Sequence, residues 1–120
     1  MTDVPDISAM GRHALEICAR SLLQDRAEAT RIERLYSAAI GLWGAESQMR
    51  LVQEECAELI VAINHVLRGR IGIHALSTEV ADVEIMCAQL RLLIGHGPVD
   101  AAKKAKLERL HGRVHGGPNV

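Results

Sequence analysis

Hydrophobic residues recur at helical spacing along most of this chain. In the clearest stretch, about residues 45–68, they form one stripe: Val52, Cys56, Leu59, Ile60, Ile63 and Leu67. A second stripe, within about residues 77–94, consists of Val80, Val83, Met86, Cys87, Leu90, Leu93 and Ile94. Because a stripe of this kind buries one face of a helix, the pattern predicts an all-α protein.

The N-terminal third is also predicted to be helical. Residues 6–23 and 25–42 form either two helices or one bent helix, and the pattern leaves both open. Gly41 and the Trp43-Gly44 pair are expected to end this region. We treat residues 1–25 as an N-terminal helical extension of a single domain that covers residues 1–120.

A loop is expected at residues 68–74, where glycines interrupt the apolar pattern. Ser77 or Thr78 is predicted to cap the helix that follows, because a hydroxyl can accept a hydrogen bond from a free N–H of the first turn. The last helix is predicted over about residues 99–114, before a flexible tail at residues 115–120. The whole chain is thus expected to be an oligomeric bundle of four to five helices.

Composition and charge narrow the class of protein. Hydrophobic residues make up 48% of the 120 residues but aromatic residues only 2%, so the core must be aliphatic. The net charge of −1 gives no indication of a nucleic-acid partner. No apolar run approaches the length of a membrane span, and the acidic residues 1–6 do not resemble a signal peptide. Three cysteines without a CxxC pair indicate free thiols, as in the cytoplasm.

Two pairs of acidic residues carry the candidate chemistry: Glu55 with Glu58, and Glu79 with Asp82. Residues three apart share one face of a helix, so each pair directs two carboxylates to one point. The loop at residues 68–74 is long enough for an antiparallel hairpin in which the two pairs meet. At about 100° per residue, three of the acids border the apolar stripes and Glu79 lies inside one.

Four carboxylates around one small space repel each other unless a cation lies between them, and oxygen ligands favour Mg²⁺ or Mn²⁺. The alternative is a solvated charged face with Glu79 as a helix-start acid. A di-iron bundle would need two Glu-x-x-His sequences, and only Glu108–His111 exists. Zinc is disfavoured because no histidine or cysteine shares the face of the acid pairs.

These residues occur within a longer pattern that resembles a known family. The pattern consists of Trp43-Gly44, Gln48, Glu54-Glu55-x-x-Glu58-Leu59-Ile60, Glu79-Val80-Ala81-Asp82-Val83-Glu84-Ile85-Met86 and Lys106-Leu107-Glu108-Arg109-Leu110. It is similar to the MazG-like nucleotide pyrophosphohydrolases of the all-α NTP pyrophosphatase superfamily, whose signature is EExxE followed by ExxD. The resemblance covers about residues 30–113.

The resemblance implies Mg²⁺-dependent hydrolysis of a nucleoside triphosphate between its α- and β-phosphates, as in house-cleaning of the nucleotide pool. It makes Glu55, Glu58, Glu79 and Asp82 the metal ligands. Glu54 and Glu55 become the candidate catalytic residues; for Glu54 the alternative is a capping or salt-bridge role. Gln48, Lys106 and Arg109 become candidate substrate-binding residues. For Gln48 a structural role fits equally well. For Lys106 and Arg109 the alternative is that they belong to an ordinary solvent-exposed basic face of the helix.

The resemblance also implies a homodimer or homotetramer with the active site near a subunit interface, which would cover the aliphatic excess. Two other functions stay open. One is a phosphoribosyl-ATP pyrophosphatase from the same superfamily. The other is a non-enzymatic, oligomeric helical module that binds nucleotides.

Overall fold

The computed structural model describes residues 7–116, with side chains from Arg12 onward, and this part of the chain is all-helical without a strand. Its four helices are α1 (Ile7–Trp43), α2 (Ala45–Leu67), α3 (Ile73–Ile94) and α4 (His96–His115). The predicted all-α class is confirmed. Most of the tail expected at residues 115–120 lies outside the described residues. No helix in the described range is long and apolar enough to cross a membrane.

The two N-terminal segments left open by the sequence form one continuous helix, α1, of 37 residues. It ends where Gly44 takes a φ of 91°, a value that side chains rarely tolerate. The chain divides into two compact units, one up to Tyr36 and one from Ser37 onward. In the first unit, Arg31 and Glu28 form an exposed ion pair at 2.6 Å along the helix surface.

In the second unit, α2 packs against α3, and α3 contacts α4. A turn of five residues joins α2 to α3. At its start, Gly69 N–H donates to Val66 O at 2.9 Å and Arg70 N–H to His65 O at 2.8 Å. With Gly69 at a φ of 69°, these bonds form a Schellman motif, which satisfies the free carbonyls at the end of α2.

The predicted start of α3 is wrong. The helix begins at Ile73 with Gly72 as its N-cap, so neither Ser77 nor Thr78 is a cap. Both hydroxyls instead donate to carbonyls of the preceding turn, Ser77 to Ile73 O and Thr78 to Ala75 O, each at 2.8 Å. Because a hydroxyl can bond back along the helix in this way, the two residues fit inside the helix rather than before it.

The helix α4 also begins earlier than predicted, at His96 instead of about residue 99. Gly95, with a φ of 100°, separates α3 from α4. Pro98 lies in the first turn of α4, where its missing N–H would have no intrahelical acceptor. Arg91 on α3 donates a hydrogen bond to Asp100 on α4, which ties the two helices together.

The core of the described residues is small. Its buried hydrophobic side chains are Val52, Ala62 and Met86. Two buried polar residues accompany them, Gln48 and Gln89, with exposed fractions of 3% and 5%. Many large apolar side chains on α2 and α3 stay exposed, among them Ile60 and Leu67. The packing of α2 on α3 therefore sets the geometry of the site but covers only part of the apolar surface.

Candidate metal centre

Three of the four predicted acids come together between α2 and α3. Glu55, Glu58 and Glu79 each offer one carboxylate oxygen, and these oxygens all lie within 4.8 Å of one another. We call these three residues the carboxylate cluster. Glu55 and Glu58 are one turn apart on α2, and Glu79 faces them from α3. The sequence predicted that the acidic residues of these two helices lie together, and three of the four do.

The register of the two helices explains why the acids meet. Gln48 on α2 is hydrogen-bonded to Gln89 on α3 at 2.6 Å. Ten residues further along α2 lies Glu58, and ten residues back along α3 lies Glu79. The matched steps mean that α2 and α3 run antiparallel, so a register fixed by the glutamine pair also places Glu58 opposite Glu79.

Two oxygens of the cluster have no hydrogen-bond partner although solvent does not reach them: Oε2 of Glu55 and Oε2 of Glu79. The two residues are half-buried, whereas Glu58 is exposed. A buried carboxylate oxygen without a partner is costly, because it has lost water and gained nothing in exchange. A hydrogen-bond donor or a bound cation next to these two oxygens would therefore stabilise the cluster.

Burial raises the pKa of Glu55 above its usual value of 4.5. The negative charges of Glu58 and Asp82 raise it further, as do a hydrogen bond with Glu58 and the charge of Glu79. A raised pKa means that ionised Glu55 is disfavoured in the protein by itself. A cation between the carboxylates would offset both the cost of burial and the repulsion between the negative charges, since it stabilises the ionised form of every ligand.

The residues present fit a hard divalent cation. The three carboxylates supply only oxygen ligands, as Mg²⁺ and Mn²⁺ prefer, and no histidine or cysteine belongs to the cluster. The exposed side of Glu58 leaves room for water or a ligand oxygen to complete the coordination. Glu108 and His111, the only Glu-x-x-His sequence, are both exposed on α4 and belong to no such cluster in the described residues.

The fourth predicted metal ligand, Asp82, is not among the three residues whose oxygens lie within 4.8 Å. It is exposed on α3, one turn after Glu79, and close enough for its charge to raise the pKa of Glu55. Glu54 is also exposed and lies outside the cluster. The catalytic role of Glu54 and direct ligation by Asp82 stay predictions.

The predicted substrate-binding residues Gln48, Lys106 and Arg109 are not members of the cluster. Gln48 is buried, and its amide Nε2 donates to Gln89, which gives it the structural role that the sequence had left open. Lys106 and Arg109 are exposed on α4. Neither lines the cavity that adjoins the cluster.

That cavity has a volume of about 410 Å³ and lies between α2, α3 and the turn that joins them. Glu58 and Glu79 form part of its wall, so it opens beside the cluster. Thr78, which the sequence predicted to be a helix cap, and His65 also line it. His65 follows Glu58 by seven residues, two turns along the same face of α2, and this spacing was the available signal. Thr78 directly precedes Glu79, and neighbouring residues on a helix do not share a face, so no comparable signal exists for Thr78.

We compared the chain with models of protein families, with curated proteins and with solved structures, and none of the three comparisons gives a match.

Proposed function

We propose that this protein is a Mg²⁺-dependent nucleoside triphosphate pyrophosphohydrolase of the MazG-like type. The observation that carries the proposal is the carboxylate cluster, in which two buried oxygens lack any partner. The EExxE and ExxD pattern over residues 54–82 agrees with the same reaction. Water would cleave the bond between the α- and β-phosphates to give a nucleoside monophosphate and pyrophosphate, as in clearance of unwanted nucleotides.

In this proposal Glu55, Glu58 and Glu79 hold the cation, and Asp82 holds it directly or through water. When bound, the cation supplies positive charge that neutralises the phosphates and lowers the pKa of a bound water. The carboxylates by themselves would repel a triphosphate, so binding of substrate must depend on the cation. Glu55 orients the reacting water, and Glu54 is the proposed general base.

Phosphate binding is assigned to Lys106 and Arg109. Both are exposed on α4 and free to extend toward a ligand, and an arginine offers paired N–H donors that suit phosphate oxygens. Gln48 contributes indirectly, through its bond with Gln89 and the register of α2 and α3. A role for Gln48 in direct contact with substrate would require this buried bond to break.

We also propose that the protein acts as a homodimer or homotetramer. The apolar side chains exposed on α2 include Ile60, Ile63 and Leu67, which belong to the hydrophobic stripe predicted from the sequence. A stripe that stays exposed after α2 has packed on α3 is suited to a second copy of the same helix pair. Burial of this surface would add the hydrophobic stabilisation that the small core lacks.

The test is hydrolysis of a panel of ribo- and deoxyribonucleoside triphosphates, with and without Mg²⁺, followed by detection of pyrophosphate. We expect Mg²⁺-dependent release that Glu79→Gln abolishes. Glu84→Gln is the matched control, because Glu84 is an exposed acid on the same helix outside the cluster. Melting curves of both variants check that they fold.

Two outcomes would assign a different function to the protein, and a third would reject the proposed active site. Hydrolysis of phosphoribosyl-ATP alone would assign the protein to that sister activity. Metal-dependent nucleotide binding without turnover of any substrate would make it a binding module. Equal activity of wild type and Glu79→Gln would show that the cluster is not the active site.

A further inference from the structure

Two histidines lie side by side at the end of α4, on a different helix from the carboxylate cluster. The ring centroids of His111 and His115 are 4.7 Å apart, and their ring planes are tilted by 51°. Because the two residues are four positions apart, their side chains share one face of the helix. Both are exposed. The pair thus presents to solvent ring nitrogens that the proposed reaction does not use.

The distance between the rings suits a metal ion that both of them bind. A metal ion binds an imidazole nitrogen at about 2.0–2.1 Å, which puts the ring centroid about 3.2 Å from the ion. Two such centroids that are 4.7 Å apart subtend an angle of about 95° at the ion. Angles between neighbouring ligands are about 90° in octahedral and about 109° in tetrahedral coordination. Binding therefore requires only that each ring turns one nitrogen toward the ion.

The electrostatics at this end of α4 also favour a cation. The helix ends at His115, and the free carbonyls of its last turn carry a partial negative charge. Glu108 adds a full negative charge one turn before His111, on the same face. Within the described residues, no third histidine, cysteine or acid forms a ligand group with the pair. Water or an external ligand would complete the coordination.

Nitrogen donors select a different class of ion from carboxylates. Imidazole suits Ni²⁺, Cu²⁺ and Zn²⁺, whereas Mg²⁺ and Mn²⁺ prefer oxygen ligands. A spacing of four residues is also the one at which two histidines of a helix bind the zinc ion of metalloproteases. The carboxylate cluster contains only oxygen donors. The histidine pair and the cluster therefore differ in the metal ions that they favour.

We propose that His111 and His115 form a second metal site, which binds a transition-metal ion of the Ni²⁺, Cu²⁺ and Zn²⁺ class independently of the carboxylate cluster. The bound ion bridges the last turn of α4 and stabilises it against fraying, because only the helical form brings both rings to one ion. The alternative is a contact between two exposed rings that binds no ligand. The site does not depend on the proposed function, since none of its residues belongs to the cluster.

One control variant keeps the composition of the chain and changes only the spacing of the histidines. Arg113→His combined with His115→Arg leaves the two histidines two residues apart, where their side chains do not share a face. The number of histidines and the net charge stay the same. His74→Gln is a second control, because it removes an exposed histidine from α3.

The experiment is titration calorimetry with Ni²⁺, in excess Mg²⁺, on the full chain purified without an affinity tag. We expect wild type and His74→Gln to bind Ni²⁺ with equal affinity. His115→Gln and the variant with altered spacing should each bind it at least about tenfold more weakly, because the second ligand of the chelate is lost. Glu79→Gln should bind Ni²⁺ as wild type does, since it changes only the carboxylate cluster.

Equal Ni²⁺ affinity of wild type and the variant with altered spacing would overturn the inference. A loss of Ni²⁺ binding in Glu79→Gln but not in His115→Gln would assign the ion to the cluster and overturn it as well. If the histidine variants fail to fold, nuclear magnetic resonance of wild type decides. Paramagnetic Ni²⁺ should then broaden the ring signals of His111 and His115 before that of His74, and the reverse order would contradict the site.

Discussion

Gln48 on α2 donates a hydrogen bond from Nε2 to Oε1 of Gln89 on α3, at 2.6 Å, within the buried interface of the two helices. Gln89 in turn approaches the sulfur of Met86 at 3.9 Å. A buried amide must find a partner, whereas apolar contacts can slide by one turn at modest cost. The pair therefore selects the register of α2 and α3, and that register brings Glu58 and Glu79 together.

Replacement of Gln48 by leucine should destabilise the protein by about 1–3 kcal/mol, because Gln89 would remain buried without its partner. The free energy of unfolding can be measured by urea denaturation in EDTA. We also expect weaker Mg²⁺ binding, since the register that places the carboxylates would be less strictly fixed. Gln53→Leu is the control, because Gln53 is an exposed glutamine on the same helix.

The double variant, Gln48→Leu with Gln89→Leu, separates packing from hydrogen bonding. It should recover most of the lost stability, because neither helix then carries an unpaired amide. It should not recover the full Mg²⁺ affinity if the pair fixes the register. Additive losses of stability in the two single variants would mean that the glutamines do not act together.

Glu55→Gln should stabilise the metal-free protein at neutral pH. The pKa of Glu55 is raised above 4.5 in the folded protein, so its ionisation opposes folding. Below pH 4.5 the carboxyl is protonated in both the folded and unfolded states, and the variant should match wild type. As pH rises through the raised folded pKa, wild type loses stability that the glutamine variant keeps.

Melting temperatures of the two proteins in EDTA, compared from acid to neutral pH, measure this difference. Added Mg²⁺ should reverse the order at neutral pH, because it stabilises the ionised cluster of wild type. Glu54→Gln is the control, since Glu54 is exposed and not part of the cluster. A melting difference that does not change with pH would contradict the assignment to Glu55 ionisation.

Asp82→Asn should reduce Mg²⁺ affinity less than Glu58→Gln does. Glu58 belongs to the cluster within 4.8 Å, whereas Asp82 is outside it and acts on Glu55 through its charge. Loss of such a neighbouring group typically costs about tenfold or more in metal affinity. Titration of both variants with Mn²⁺, followed by electron paramagnetic resonance, gives the comparison. A larger loss in Asp82→Asn would make Asp82 a direct ligand instead.

Self-association should depend on the exposed stripe of α2. Ile60→Glu or Leu67→Glu should convert a dimer or tetramer into monomers, because each places a charge in the proposed apolar interface. Both side chains are exposed in the single chain, by 62% and 79%, so neither change disturbs the core. Sedimentation velocity measures the outcome, with Leu15→Glu in the first unit as control. A monomeric wild type would contradict the prediction.

The helices and the acid pairs could be predicted from the sequence because both depend on short-range spacing. Residues 45–67 form the predicted helix almost to the residue, since its apolar stripe and its glycines are local signals. The start of α3 was missed because the hydroxyls of Ser77 and Thr78 suit either a cap or a bond back along the helix. Local sequence contains no information on which of these bonds forms.

The sequence by itself determined the helical class, the aliphatic composition and the four candidate acids. Only the tertiary structure decided that Glu55, Glu58 and Glu79 meet while Asp82 stays outside, and that Gln48 is buried against Gln89. The physical reason is the distance in sequence between partners. Spacing within one helix fixes which side chains share a face, but contacts between helices depend on register and burial, which arise only when α2 packs on α3.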